Sequence, residues 1–476
     1  MNWVLFGVLI YVFAQLAIGL YVSRRMKTES DYYLAGRRLG TGIATMTIFA
    51  TWFGAETCIG SSGAVYEEGL AGGRADPFGY TICLLLMGTV FAVPLYRRKL
   101  TTLGDLFRQR YSRSVEMVAV FVIAPSSVMW AGAQIRAFGQ VIAASSAIGT
   151  FVAIAFAAAV VIIYTTSGGL LADAITDVIQ GAALIIGLAV VLVAGVYSLG
   201  GVNAVMNAID PARLSLVGKE LNWLERIDTW AVPIFGSVLA QELIARTLAS
   251  RSATVARRAA FGAAGIYFCV AAMPAMLALI GPSLVSELDD PEHFLPAVAQ
   301  QLLPTFLYVM FAGALVSAIL STVDSALLAA SSLVAHNVIV PMLPLADDRQ
   351  KVRVARYTVI AMGFAAFLLA LSAESVYSLV EDASAFGSSG ILVVGTFALF
   401  TRYGRQVAAT TALIAGSATW LIGNQYSVAS PYLLSIAAAL VLYLCVGWFE
   451  ELHSEEPVPA VSEDAIAEEE PVPVES

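Results

Sequence analysis

Ala50-Thr-Trp-Phe-Gly-Ala-Glu-Thr57 lies inside an apolar run of membrane-spanning length, 40–65, and Gly60 and Gly63 follow within the same run. Glycine loosens a helix, and a carboxylate at that depth is costly unless it faces a cavity or a partner. A second interrupted run, 229–249, carries Pro233 and Gly236. The two runs are five spans apart, as the leading helices of two five-helix repeats would be. Paired interruptions at corresponding positions point to a binding site near the bilayer midplane, because unwound backbone offers carbonyls to a cation and amides to a substrate. Glycine and proline are also frequent in membrane helices that bind nothing.

The rest of the chain supports a membrane setting. Of its 476 residues 59% are apolar and 13% charged, and the mean hydropathy is +0.79. Soluble domains carry about 25% charged residues, and a helix crosses the hydrocarbon with roughly 20 apolar ones. About 13 runs qualify: 3–22, 40–65, 78–96, 115–144, 149–164, 174–199, 229–249, 261–285, 303–335, 354–371, 376–400, 407–422 and 432–448. The expected fold is therefore an all-α polytopic membrane protein. The first run has no basic residue before it and no small-residue cleavage site, and Arg24, Arg25 and Lys27 follow it. It reads as a retained span with the N-terminus outside.

The basic residues test that orientation. With the N-terminus outside, alternate loops collect Arg24–Arg38, Arg97–Arg113, Arg246–Arg258, Arg349–Arg356 and Arg402–Arg405, about 21 of the 26 basic residues. Only about four fall in the opposite loops, and the loop after 285 is acidic, with Glu287, Asp289, Asp290 and Glu292. Positive charge stays on the cytosolic side. After Phe449 the chain holds about ten acids, no Lys or Arg, and Pro457, Pro459, Pro471 and Pro473. Removing those acids from the net charge of −9 leaves a body near +1. The domain reading is a membrane domain over 1–449, with core repeats at about 40–199 and 229–400, and a disordered, acidic cytosolic tail over 450–476.

Four cysteines, Cys58, Cys83, Cys269 and Cys445, sit in apolar runs without ligand spacing, and His293, His336 and His453 form no zinc motif. A nucleophile–histidine pair or a phosphate loop is equally lacking, so an enzyme is not expected. Charges in or near the spans are Glu56, Arg136, Asp177, Glu242, Asp324, Glu381 and Asp382. Arg136 with one of the carboxylates would make a neutral structural pair. In the ninth span, Ser317-Ala-Ile-Leu-Ser-Thr-Val-Asp-Ser325 places Ala318, Ser321, Thr322 and Ser325 on one helix face. Hydroxyls and a carbonyl there suit a hard cation such as sodium. Small-residue packing, with hydroxyls bonded to their own backbone, would give the same spacing.

Three segments carry a resemblance to the sodium/solute symporter family. They are Tyr164-Thr-Thr-Ser-Gly-Gly-Leu170 with Thr176, Asp177 and Gln180, then Ser321-Thr-Val-Asp-Ser325, and Ala245-Arg-Thr-Leu-Ala249. With the span pattern the resemblance covers about 1–450. It implies a leucine-transporter-like fold of 5+5 inverted repeats, here spans two to six and seven to eleven. It also implies a sodium ion held by the carbonyls of Ala50, Phe53 and Ala318 and the hydroxyls of Ser321 and Thr322. A second sodium, which some members bind nearer the cytosol, would fall on Asp177, Ser321, Asp324 and Ser325.

Within the family the chain looks most like the choline-transporting branch, through 50–66, Gly79-Tyr80, Trp130-Ala-Gly-Ala133 and Ser331-Ser332 with Asn337. Trp52, Tyr80 and Trp130 match three aromatics of a choline cage, while Ala240 stands where the fourth would be and Glu242 follows. Aromatic faces attract ammonium groups. The resemblance implies a sodium-coupled symporter in the plasma membrane that imports a small organic cation or zwitterionic amine, bound by Trp52, Glu56, Tyr80, Trp130, Ala240 and Glu242. The alternatives are a proline-like amino-acid or carboxylate symporter and a proton-coupled carrier, with Arg136 as a partner for an anionic group. The expected partners are the solute, sodium and the lipid bilayer. No nucleic acid and no cofactor besides the coupling ion are expected, and the chain suits a monomer while leaving the oligomeric state open.

Overall fold

In the computed structural model the chain is built from packed helices, and among the described residues the one extended pairing is an isolated bridge between Leu39 and Ser250. The structure describes residues 28–453 except 145–147, 218–220, 286–287, 289, 344–346 and 374, together with residues 6, 10, 13, 14, 17 and 21. Most of the first span, Glu287 and Asp289 of the acidic loop, and the tail from 454 onward therefore lie outside the described residues.

Among the described residues, 10 helices are long and apolar enough to cross a membrane. The second span is not among them because its break divides it, and the fifth and sixth spans form one continuous element, Thr150–Ser198. A straight helix of that length would extend roughly 70 Å, more than twice the hydrocarbon thickness. It turns back at Gly169, whose φ of 57° and ψ of 175° leave the helical region. The reversal is visible in a side-chain contact: the Tyr164 and Thr176 hydroxyls meet at 2.8 Å, where a straight helix would hold their backbones about 18 Å apart.

Both expected interruptions are present. The second span runs as Thr41–Trp52, leaves helical geometry at Phe53 (φ −95°, ψ 77°), and resumes through a wide turn, Glu56–Ser61, into Ser62–Glu68. The seventh runs as Trp223–Ala231 and Val232–Gly236, then restarts as Gln241–Ala249 behind an extended Ala240 (φ −64°, ψ 138°). This second break falls about one turn beyond Pro233. Pro233 itself occupies the first turn of a helical segment, where a missing N–H costs little. The ninth span, Thr305–Ser332, is the hub, and every residue from Phe311 to Ser332 is buried.

The loops sort by charge in space as they do in sequence. At one end Arg37 donates to the Leu100 carbonyl at 2.5 Å, Arg110 to that of Tyr403 at 3.1 Å, and Glu29 meets His336 and Lys351. At the other end Glu292 binds the amides of Val376 and Tyr377, and Asp228 that of Leu433.

Candidate functional site

The break at Phe53-Gly54 exists because the ninth and fourth spans press against it. A Cβ on Gly54 would stand 2.6 Å from Thr322 Oγ1 and 2.7 Å from Gln134 Oε1. Gln134 accepts the Ala55 amide at 2.9 Å, so it satisfies a donor that the interruption frees. Across the break, Ser321 Oγ lies 3.4 Å and Thr322 Oγ1 3.3 Å from the Ala50 carbonyl, and Thr322 Oγ1 lies 3.2 Å from the Ala318 carbonyl. Four of the five oxygen donors expected around sodium are thus drawn together, and the fifth, Phe53, is the residue at the break. Ligands set at right angles about a cation with bonds of about 2.4 Å stand about 3.4 Å apart, so the observed spacings suit an ion of that size.

The region around Asp177 is more elaborate than expected. Its two oxygens accept from Ser321 and from Thr47, and Thr51 reaches Ser325 at 3.4 Å. Ser325, proposed as a ligand beside Asp177 and Asp324, is engaged by Asp173 at 3.2 Å and by Arg246. Arg246 was counted with the cytosolic loop charges; it is 1% exposed and forms an ion pair with Asp173. The correction has a physical cause. Arg246 lies inside the restarted half of the seventh span, and the reversal at Gly169 carries Asp173 to it. Asp324 is fully buried beside Thr165 and Asp173, so two carboxyl groups stand next to each other here.

The substrate residues divide between two spaces. Trp52 and Trp130 are tilted rings with centroids 5.6 Å apart, and with Glu242, Thr51 and Thr322 they line a tight inner space. It adjoins a cavity of about 30 Å³ bounded by Trp130, Ala240, Glu242, Ser127, Ser237 and Ser384. Tyr80 bridges outward: its ring lies 6.3 Å from that of Trp130, and its hydroxyl donates to Glu56 Oε1 at 2.7 Å. Glu56 faces a separate space with Arg74, Tyr377 and Glu381. Arg136 is remote from these cavities, about 9 Å along the helix from Trp130, and donates to the Ala370 carbonyl at 3.2 Å. Asp76, absent from the sequence expectations because it precedes the third span, is buried and accepts from Ser61 at 2.8 Å, from Thr57 at 3.2 Å and from Tyr267.

The two ends of the bundle are closed to different degrees. At the acidic end a vestibule of about 410 Å³ is lined by Glu67, Glu68, Arg74, Asp290 and Glu292. Burial raises the Glu292 carboxyl above its ordinary range, against the lowering effect of the Tyr377 and Val376 amides it accepts. At the basic end Asn337 is the hub of a polar plug. It receives Thr102 at 2.6 Å and donates to Glu116 at 2.7 Å and Asp105 at 3.0 Å, while Gln241 accepts the Leu103 amide at 2.8 Å. Burial alone would raise Asp105, yet His336 and the Thr101 and Thr102 amides hold it below the ordinary carboxylate range.

Known proteins resemble this chain in sequence and in fold. The chain is 29% identical over 407 residues to human high affinity choline transporter 1, covering 79% of this chain and 69% of that protein. The Caenorhabditis elegans protein of that name is 27% identical, over 76% of this chain and 68% of the relative. The sodium/pantothenate symporter of Haemophilus influenzae is 25% identical over 86% of this chain and 93% of its own. Among solved structures, an outward-open, Na+-coupled sialic acid symporter superposes with a TM-score of 0.81 at 18% identity, over 94% of this chain and 97% of that one. The closed form of a nucleobase-cation-symport-1 transporter gives 0.62 at 15%, over 90% and 96%. The fold is that of the leucine-transporter class. Residues 32–416 match the sodium:solute symporter family, and the chain belongs to it.

Proposed function

We propose that this member of the sodium:solute symporter family is a sodium-coupled carrier, not an enzyme, that imports a small organic cation or zwitterionic amine. The observation that carries the reading is the oxygen cluster across the first break, where the Ser321 and Thr322 hydroxyls stand 3.4 and 3.3 Å from the Ala50 carbonyl and Thr322 stands 3.2 Å from that of Ala318. Sodium bound there, with the Phe53 carbonyl, ties the second span to the ninth and fixes the walls of the inner cavity. Ser321 also donates to Asp177, so a carboxylate balances the ion's charge at one remove. The solute sits by Trp52, Trp130, Ala240 and Glu242, with Tyr80 and Glu56 on its outward approach. The vestibule carboxylates draw cations toward that path.

The basic end is placed in the cytosol, the acidic vestibule outside, and the chain in the plasma membrane. Inward opening then requires the Asn337 plug to separate as one repeat rocks against the other. The carboxylates Asp177 and Asp324 with the hydroxyls of Ser321 and Ser325 remain the proposed place for a second sodium. A proton-coupled reading is favoured by one feature, the carboxyls of Asp173 and Asp324 buried side by side, which could share a proton.

Uptake into proteoliposomes tests the proposal. Labelled choline, betaine, proline, a sugar and a carboxylate are offered under a sodium gradient and, separately, under a pH gradient without sodium. Amine uptake in sodium alone is expected. Uptake driven by protons alone would sink sodium coupling, and uptake confined to the sugar or the carboxylate would sink the amine reading.

A further inference from the structure

The inner cavity presents three buried polar atoms without partners: Trp52 Nε1, Trp130 Nε1 and Glu242 Oε1. Their residues are 2%, 5% and 5% exposed and line one space between the two breaks. Leaving such atoms unpaired in a low-dielectric site is costly, and hydrogen bonds restore the loss. Glu242 Oε1 is an acceptor and calls for a donor. The two indole N–H groups are donors and call for an acceptor. Ser127 already bonds the Glu242 carboxyl, which leaves Oε1 as its unpaired oxygen, and the first turn of Gln241–Ala249 holds the side chain at the breakpoint.

We infer that the substrate of this site is a primary or secondary ammonium compound with an oxygen acceptor near its nitrogen, donating N–H to Glu242 and accepting from Trp52 and Trp130. This deepens the amine reading and rests on it. A quaternary ammonium has no N–H and leaves Glu242 Oε1 unpaired. Such a head needs a continuous aromatic wall, whereas in the adjoining cavity the two aromatics, Trp130 and Phe386, share the lining with Ala240 and the serines Ser237 and Ser384. The cavity that adjoins this space also favours a small head: its volume of about 30 Å³ admits a group of water size. Thr322, which completes the sodium cluster, lines the same space as both tryptophans. The ion is thus near enough to offset a carboxylate on the substrate.

The test is equilibrium binding to the full chain in lipid nanodiscs with sodium chloride, using two methylation series. One runs from ethanolamine through its mono- and dimethyl forms to choline, the other from glycine through sarcosine and dimethylglycine to betaine. In at least one series affinity is expected to fall with each methyl, by tenfold or more from the unmethylated to the quaternary member, an approximate size for a lost buried hydrogen bond to a charge. Glu242→Gln is expected to flatten that series to within about threefold, because the amide still accepts but the charge is gone. The wild-type series stands as a test even where that variant does not fold. Quaternary members binding as tightly as their unmethylated parents would overturn the inference while leaving amine transport intact. Failure of every member of both series to bind in sodium would overturn the amine reading itself.

Discussion

The two broken spans use the same device for different chemistry. In each, a glycine brings backbone against a partner helix so closely that a Cβ would collide: Gly54 with Thr322 and Gln134 side chains, Gly236 with the Ser384 carbonyl at 2.4 Å. At the first break the two nearest atoms to Gly54 are oxygens, of Thr322 and Gln134, and the hydroxyls of Ser321 and Thr322 can turn their lone pairs to an ion. Around the second the neighbours are an indole, a carboxylate and serines, a mixture of donor, acceptor and apolar face. The backbone interruption supplies access; the side chains of the helix opposite decide whether an ion or an organic molecule is held there.

Arg246 joins the two regions, because it projects from the restarted half of the seventh span to Asp173 and Ser325 on the partners of the first. Arg246→Met is expected to have the largest effect, about 3 kcal/mol or more of stability, since it strands buried carboxylates. Thermal unfolding in detergent measures it, and Asp173→Asn in the same chain should recover most of the loss. A single variant as stable as wild type would mean the pair joins nothing.

The glycines separate the breaks more finely. Each Gly→Ala change is expected to cost about 1–3 kcal/mol through overpacking. Gly54→Ala should chiefly raise the sodium concentration for half-maximal uptake, and Gly236→Ala chiefly the solute concentration. Exchanged phenotypes would reverse the assignment of ion and solute to the two sites. Trp130→Ala should weaken amine binding by up to about 2 kcal/mol, roughly 30-fold, at unchanged sodium affinity. Equal binding in mutant and wild type would place the solute elsewhere. The smallest effect is expected for Ser321→Ala, about 1 kcal/mol or roughly fivefold in sodium affinity, with solute affinity at saturating sodium unaltered. Sodium dependence identical to wild type would remove Ser321 from the ion's shell.

The membrane makes much of this legible in sequence. It requires long apolar runs and penalises interruptions, so the spans, both breaks and the hydroxyl face of the ninth helix stand out. What stayed hidden depends on contacts far apart in the chain. Arg246 resembles a loop charge until the Gly169 reversal brings Asp173, 73 residues away, to its guanidinium. Gln134 attracts no notice as a neutral amide, yet it caps the first break. Asp76 sits where a loop acid is ordinary, and only Tyr267, Ser61 and Thr57 make it a buried one. Arg136, expected either in a structural pair or as a partner for an anionic group, is a span charge that donates to the Ala370 carbonyl.

Thr322 stands in both sites, its hydroxyl among the ion's oxygens and its side chain on the wall shared with Trp52 and Trp130. Two guests that lean on a common residue are thermodynamically linked. Whatever factor one lends to the affinity of the other must be returned in equal measure. A titration of ion at several solute levels should therefore trace the same coupling constant as a titration of solute at several ion levels. The molecule would then act as a reciprocal gauge, in which scarcity of either guest loosens the hold on both.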